Sequence, residues 1–262
     1  MNILEKIVRS KKQEVQKLKG DKSMSDLEKS DTFQRMTRSL QGSIINGTGV
    51  IAEFKRASPS KGIIHDMADP QKIVNGYMEA GVSGISVLTD KPFFKACSND
   101  FEEIRKISYL PLLRKEFMVD EWQIIESKSM GADCILLIAC ILTPQQIKNF
   151  QRIAGDIGLE TLVEVHSPSD LDKLSGLESM IGVNNRNLDT FEVDLSASVA
   201  LVSQLDNSIT KIAESGIHSP EDARMLSQAG FDGWLIGELF MAEKDPGQAC
   251  RAFIQHLQEI TG

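Results

Sequence analysis

Apolar and polar positions along this chain change their period several times, and each change marks an element. Through residues 2 to 19, Leu4, Ile7, Val8, Val15 and Leu18 recur at helical spacing among lysines and glutamates, which predicts an amphipathic helix. Asn2 with Glu5 three residues later suits its start. Leu27, Phe33, Met36 and Leu40 predict a second helix, and Gly42 to Thr48 a loop. This segment precedes the first strand, so it is an appendage to the strand-containing part of the chain, either a packing helix or a lid that contributes to a site.

From residue 49 the helical spacing gives way to short apolar runs. Strands are predicted at 49–54, 84–88, 111–115, 133–139, 159–164, 180–184, 210–214 and 233–237. Helical spacing lies between them, as in Ile147, Phe150, Ile153 and Ala154, or Leu171, Leu174 and Leu177. The helix starts repeat one signature: Asp69-Pro70, Thr143-Pro144, Ser167-Pro168, Ser219-Pro220 and Asp245-Pro246 each set a capping side chain before a proline. Asp170 and Asp222 fall at the third helical position, near the positive end of the helix dipole. Alternating strand and helix units imply a parallel sheet, and eight without a long interruption favour a closed (β/α)8 TIM barrel over an open sheet. The expected organisation is an N-terminal helical extension over 1–48 packed on a single catalytic barrel, 49–262.

Length and composition agree with that architecture. The 262 residues match one α/β barrel, and 25% charged with 41% apolar residues is ordinary for a globular protein. The net charge of −8, with no basic block beyond Lys11-Lys12 and its neighbours, speaks against a nucleic-acid partner. The longest apolar run, Cys134 to Leu142, is too short to span a bilayer, and the charged N-terminus lacks the apolar core of a signal peptide. A cytoplasmic protein, monomeric or weakly homo-oligomeric, is expected. Cys97, Cys134, Cys140 and Cys250 form no C-x-x-C pair, with Cys134 and Cys140 read as buried thiols, and His65, His166, His218 and His256 show no ligand spacing. Neither a metal nor a cofactor is expected, and no G-x-G-x-x-G or G-x-x-x-x-G-K-[ST] follows a strand.

In such a barrel the reactive groups sit at the carboxyl ends of the strands. Strand one supplies Glu53 and Lys55 on one face, with Phe54 and Arg56 on the other. A carboxylate and an ammonium facing the same way bind either each other or something else, and this strand alone does not decide which. Strand three adds Lys115, strand five Glu164, strand six Asn184 and Arg186, strand seven Glu214 and Ser215, and strand eight Gly237 and Glu238. Strands two and four end in Leu88-Thr89 and Ile138-Ala139, an apolar wall for a ring-shaped substrate. The turns Glu214-Ser-Gly-Ile217 and Ile236-Gly237-Glu238 suit a phosphate, with the Ser58 hydroxyl in reach from strand one. The polar, glycine-containing loop from Ser58 to Asp69 is expected to be mobile and to close on substrate.

The run Ile51-Ala-Glu-Phe-Lys-Arg-Ala-Ser-Pro-Ser-Lys-Gly62 resembles the first-strand signature of the indole-3-glycerol phosphate synthase family. Leu113-Arg-Lys-Glu-Phe117, Leu162-Val-Glu-Val-His166, Gly182-Val-Asn-Asn-Arg-Asn-Leu188, Ala213-Glu-Ser-Gly-Ile217 and Leu235-Ile-Gly-Glu238 occur in the family's order and spacing. The resemblance implies ring closure of 1-(2-carboxyphenylamino)-1-deoxyribulose 5-phosphate to indole-3-glycerol phosphate, with loss of carbon dioxide and water, in tryptophan biosynthesis. It further implies Lys115 as general acid and Glu164 as stabiliser of the cationic intermediate and agent of later proton transfers. Glu53 and Lys55 would orient them, and Asn184 and Arg186 would bind hydroxyl and carboxylate groups. Ser58, Ser215, Gly216, Gly237 and Glu238 would hold the phosphate, the last three largely by backbone amides, and Glu214 would bind substrate beside them. Burial next to Lys55 would lower the pKa of Lys115 while Glu53 and Glu164 would raise it, and the net direction stays open. Glu116, Met67-Ala68 and Leu239-Phe240-Met241 depart from the family's usual residues without touching a catalytic group.

Two rivals remain. Phosphoribosylanthranilate isomerase, another phosphate-gripping barrel, pairs a cysteine after strand one with an aspartate after strand six; here Glu53, Lys55 and Asn184 stand there. A catalytically inactive barrel kept as a binding subunit would tolerate loss of one of Glu53, Lys55, Lys115 or Glu164, yet all four are present.

Overall fold

Eight apolar runs that cannot bury both faces alone close on themselves, each paired in parallel with two neighbours. The computed structural model describes residues 2–186 and 192–261. The barrel strands, numbered one to eight, are Val50–Phe54, Gly84–Leu88, Leu112–Lys115, Cys134–Ile138, Glu160–Val165, Met180–Asn184, Thr210–Glu214 and Gly233–Ile236. Strand one closes the ring against strand eight, with Val50, Ile51 and Ala52 beside Trp234, Leu235 and Ile236. The TIM barrel expected from the alternation is the fold observed.

Parity along each strand decides what every side chain meets. Ile51, Leu113, Cys134, Leu136, Leu162, Met180, Ile212 and Leu235 point inward and fill the barrel. Their neighbours Val50, Leu112, Ile135, Val163, Ile181 and Ala213 point outward into a larger core beneath the helices. Phe54 follows the outward parity, and Arg56 beyond it pairs with buried Asp100 at 2.7 Å. All five Xaa-Pro signatures begin helices at their proline. Ser167 alone makes no cap bond of its own; Asp170 instead accepts from the His166 amide and the Ser167 hydroxyl.

The N-terminal segment departs from its prediction in the middle. The first helix, Ile3–Asp21, carries the capping box between Asn2 and Glu5. The predicted second helix does not form as one piece: Met24–Glu28 and Leu40–Ile45 are separate short helices, and Met36 is exposed. Residues 30 to 41 spend most of their side-chain hydrogen bonds on the floor of the barrel. Thr32 donates to the Ser129 carbonyl, Thr37 to the Gly158 carbonyl at 2.5 Å, and Ser39 to Glu160 at 2.6 Å. A chain whose side chains and amides are engaged this way has no use for helical bonds. The helix over Leu40–Ile45, where a loop was expected, exists because Ser39 caps it at the Gly42 amide and Leu40 and Ile44 plug the barrel from below. Of the thiols, Cys134 is buried inside the barrel, whereas Cys140 is only partly covered.

Asp133 organises the floor. Fully buried, it accepts from Arg35 at 2.6 Å and from the Arg38 amide, Arg105 and the Leu112 amide, each at 2.8 Å. Removing it strands one or two guanidiniums, so Asp133→Ala is expected to destabilise the fold by about 3–5 kcal/mol, read as a lowered urea midpoint with an unchanged denaturant slope.

Candidate active site

The inward parity that fills the barrel with apolar side chains switches to charge at its upper end. Glu53, Lys115, Glu164, Asn184 and Glu214 are the last inward positions of strands one, three, five, six and seven, and Lys55 lies two residues beyond Glu53. All twelve residues singled out from the sequence line one cavity: these six with Ser58, Arg186, Ser215, Gly216, Gly237 and Glu238.

Lys115 stands at the centre. Its Nζ donates to Glu164 Oε2 at 2.9 Å and to Glu214 Oε2. Burial alone would strip its proton, but the carboxylates of Glu164, Glu214 and Glu53 outweigh it and hold Lys115 well above an ordinary lysine. Burial would raise Glu164, yet the charges of Lys115 and His166 hold it well below the carboxylate range. Glu214 goes the other way: burial, with the nearby Glu164 charge, pushes it up to about 8 against the pull of Lys115. Glu164 faces both Lys115 and His166 and keeps the negative charge, whereas Glu214 has Lys115 alone and keeps a proton at neutral pH. Glu53 makes the second pair, 2.9 Å from Lys55 and bonded to Ser86 at 3.2 Å. Of the two partners that strand one allowed for this carboxylate and ammonium, each has the other, at the wall of the cavity.

Two glycines create the space this cluster needs. A Cβ on Gly182 would collide with Glu214 Oε1, and one on Gly237 would lie 2.7 Å from Glu53 Oε1. A methyl group at either position would displace a charged side chain.

Opposite the charges is an apolar wall. Leu88 and Ile138 belong to it as expected, joined by Leu4, Ile7, Phe94, Phe117 and Leu136. Thr89 instead donates to Glu116 at 2.8 Å. The first helix therefore roofs the cavity as well as packing on it. Lys11, buried in that helix, bonds Glu14 at 2.7 Å, Asp90 at 3.0 Å and Glu116 at 3.1 Å, which pins the roof to the loops after strands two and three. Glu116 departs from the family's usual residue, and its carboxylate takes part in this clasp.

The third side is a rim of turns. Ser215 and Gly216 both adopt positive φ, 65° and 71°, and a Cβ on Gly216 would strike Val193. A serine held there is strained. Asn185 holds the turn, its amide donating to the Glu214 carbonyl at 2.8 Å and its side chain to the Ser215 carbonyl at 2.6 Å. Glu238 directs its carboxylate between Lys61 at 3.4 Å and Arg186 at 3.5 Å. Ser58 ends one strand of a small hairpin, Ala57–Ser58 with Gly62–Ile63, built from the loop after strand one. Asn187 and Leu188 of the strand-six motif lie outside the described residues.

Sequence reasoning missed several participants. Asn185 was signalled only by the Asn-Asn doublet, and His166 by its parity with Glu164, two positions beyond it at the end of strand five. Phe94, Leu4 and Ile7 carried no local signal, because their place at the cavity comes from packing of distant segments. Among the described residues, no group of three or more His, Cys, Asp and Glu side chains is arranged to hold a metal ion.

The chain is similar to known proteins in sequence and in fold. The sequence model described as indole-3-glycerol phosphate synthase matches residues 4–253. The indole-3-glycerol phosphate synthase of Bacteroides thetaiotaomicron is 39% identical over 258 residues, covering 98% of this chain and 99% of its own. That of Laribacter hongkongensis is 41% identical, covering 95% and 97%. Among solved structures, a thiamine phosphate pyrophosphorylase from Pyrococcus furiosus superposes with a TM-score of 0.61 at 15% identity, over 86% of this chain and all of that one. The tryptophan synthase complex of the same organism contains a chain with a TM-score of 0.59 at 14% identity, over 81% and 98%. The latter two speak for the barrel alone. The family match over nearly the whole chain, and relatives at such identity end to end, place this chain in the indole-3-glycerol phosphate synthase family.

Proposed function

We propose that this barrel closes the indole ring of 1-(2-carboxyphenylamino)-1-deoxyribulose 5-phosphate with Lys115 as general acid and Glu164 as the charged partner that stabilises the cation and serves the later proton transfers. The observation that carries the reading is the buried Lys115 ammonium touching Glu164 and Glu214 at the floor of an apolar-walled cavity. The aromatic carbon bearing the carboxylate attacks the ribulose carbonyl as Lys115 protonates its oxygen. Carbon dioxide then leaves, and the bond electrons it gives up restore the ring. Loss of the new hydroxyl as water, and of one proton from the neighbouring methylene, completes the indole. A protonated carbonyl and a cationic ring need an acid and a fixed negative charge in a water-poor site, and this cluster supplies both.

The substrate's phenyl ring fits the wall of Leu88, Ile138, Phe94 and Phe117, and its phosphate fits the rim. There the backbone amides of Gly216, Gly237 and Glu238 and the hydroxyls of Ser58 and Ser215 would hold the phosphate. Lys55 and Arg186 would meet the remaining anionic and hydroxyl groups, with Glu53 and Asn184 orienting them. Glu238 takes part through its amide, since its carboxylate lies between Lys61 and Arg186.

The unit is read as one catalytic barrel, 49–262, with the 1–48 extension contributing to its site. A monomer or weak homo-oligomer is the proposed state, with the twelve residues singled out meeting within one chain. Among the described residues no helix is long and apolar enough to cross a membrane. With a net charge of −8, this supports a cytoplasmic enzyme with neither nucleic-acid nor membrane partners.

Incubating the purified protein with this substrate should produce indole fluorescence without any added cofactor. Lys115→Ala should lower kcat by about 10²–10⁴-fold while the dissociation constant from titration stays within a few-fold; equal losses in both would count against the acid role. A pH dependence comes from Glu214. Its folded pKa of about 8 lies above the ordinary 4.5, so between these values the folded state holds a proton that the unfolded state has released. The stability associated with that proton is fully present below about pH 4.5 and is lost as pH rises through 8. The urea midpoint should fall across this window in the native protein and less steeply in Glu214→Gln.

A further inference from the structure

The reaction proposed for this barrel has a proton balance that Lys115 alone does not meet. A carboxylate leaves as neutral carbon dioxide and a hydroxyl as water, so two protons are delivered to oxygen, one is released from carbon, and one net proton enters from solvent per turnover. The first goes to the carbonyl from Lys115. The second is needed for the departing hydroxyl, at a time when Lys115 has already given its proton and the intermediate fills the main cavity.

A second cavity adjoins the first, lined by Cys140, His166, Lys173 and Asn184 and bordered by the exposed Asn2 and Ser169. Asn184 lines both cavities, Glu164 only the first, and His166 only the second. His166 Nε2 nevertheless lies 3.1 Å from Glu164 Oε1, the oxygen not used by Lys115. Neither buried ring nitrogen makes a well-aligned hydrogen bond, so no third group competes with Glu164 for the proton on the imidazole.

We infer that His166 supplies the proton for the dehydrating half of the reaction, passing it to Glu164 and taking its replacement from solvent through this side cavity. The Nε2–H bond breaks as Oε1–H forms. Glu164 then gives that proton to the hydroxyl, the carbon–oxygen bond breaks, and its electron pair leaves with the water. The methylene proton released as the ring double bond forms returns to the neutral Lys115 amine. Lys115 is thus reloaded from the substrate and His166 from solvent, which accounts for the single proton taken up.

The electrostatics order the two transfers. Burial would lower His166, but its contacts with Cys140 and Glu164 raise it to about 10, so the ring is charged at neutral pH. The groups sharing its surroundings are Glu164 on its own strand, Cys140 after strand four, Asp170 and Lys173 in the next segment, and Arg186, Glu192 and Asp194 after strand six. While Lys115 is charged it keeps Glu164 from taking a proton. Once Lys115 has given up its charge, the affinity of Glu164 for a proton rises and the transfer from His166 becomes favourable.

The inference rests on the proposed reaction, and one experiment separates the two. In single turnovers, release of labelled carbon dioxide and appearance of indole fluorescence are followed in native protein, His166→Gln and His166→Asn. In both variants carbon dioxide should appear within about twofold of the native rate while indole formation lags by about tenfold or more. If both signals slow together, His166 only orients Glu164, and if neither slows it is not used; either result overturns the inference. Native protein yielding neither carbon dioxide nor indole would instead overturn the reaction itself.

Discussion

One buried ammonium between two carboxylates is the constraint around which the rest of this barrel is arranged. Lys115, Glu164 and Glu214 come from strands three, five and seven, and their heads meet above a ring filled by leucine, isoleucine, methionine and Cys134. Desolvating three such groups is costly, and the cost is offset only by close pairing and by shifting protons. Glu164, with Lys115, Asn184 and His166 around it, keeps its charge; Glu214, with one carboxylate oxygen unpartnered, keeps a proton instead. The same low-dielectric setting that makes the cluster expensive makes its charges effective on a substrate, because water does not screen them.

The N-terminal segment serves both ends of the barrel. Leu40 and Ile44 seal the floor, where Asp133 and Glu160 collect amides and guanidiniums, and the shape of that end is a matter of stability. Ile3, Leu4 and Ile7 cover the mouth, held by the buried Lys11 clasp to Asp90 and Glu116. Glu116 adjoins Lys115 in sequence but faces the roof, so one peptide link couples the position of the roof to that of the acid. The rim is set by a different device, a pair of left-handed residues at Ser215 and Gly216 held by Asn185.

Much of this was legible in the sequence because the signals are local. Period-two alternation put Glu53 and Lys55 on one face of strand one, and position at a strand's carboxyl end marked Lys115, Glu164 and Asn184, all without coordinates. The capped prolines marked helix starts for the same reason, since a cap is satisfied within four residues of chain. The middle of the N-terminal segment failed by that logic. Leu27, Phe33, Met36 and Leu40 have helical spacing, yet the partners of Thr32, Arg35, Thr37 and Ser39 lie roughly a hundred residues away, where no local pattern records them.

By itself, then, the chain determined its repeat, its barrel and which strand ends carry its charged residues, all consequences of backbone geometry acting over a few positions. Only the tertiary structure decided which of those charges touch, and hence that Lys115 is raised, that Glu214 rather than Glu164 carries a proton, and that His166 stands between Glu164 and a second opening. Coulomb and desolvation energies depend on distances of a few ångströms between residues roughly 50 to 100 positions apart, and such distances exist only once the ring has closed.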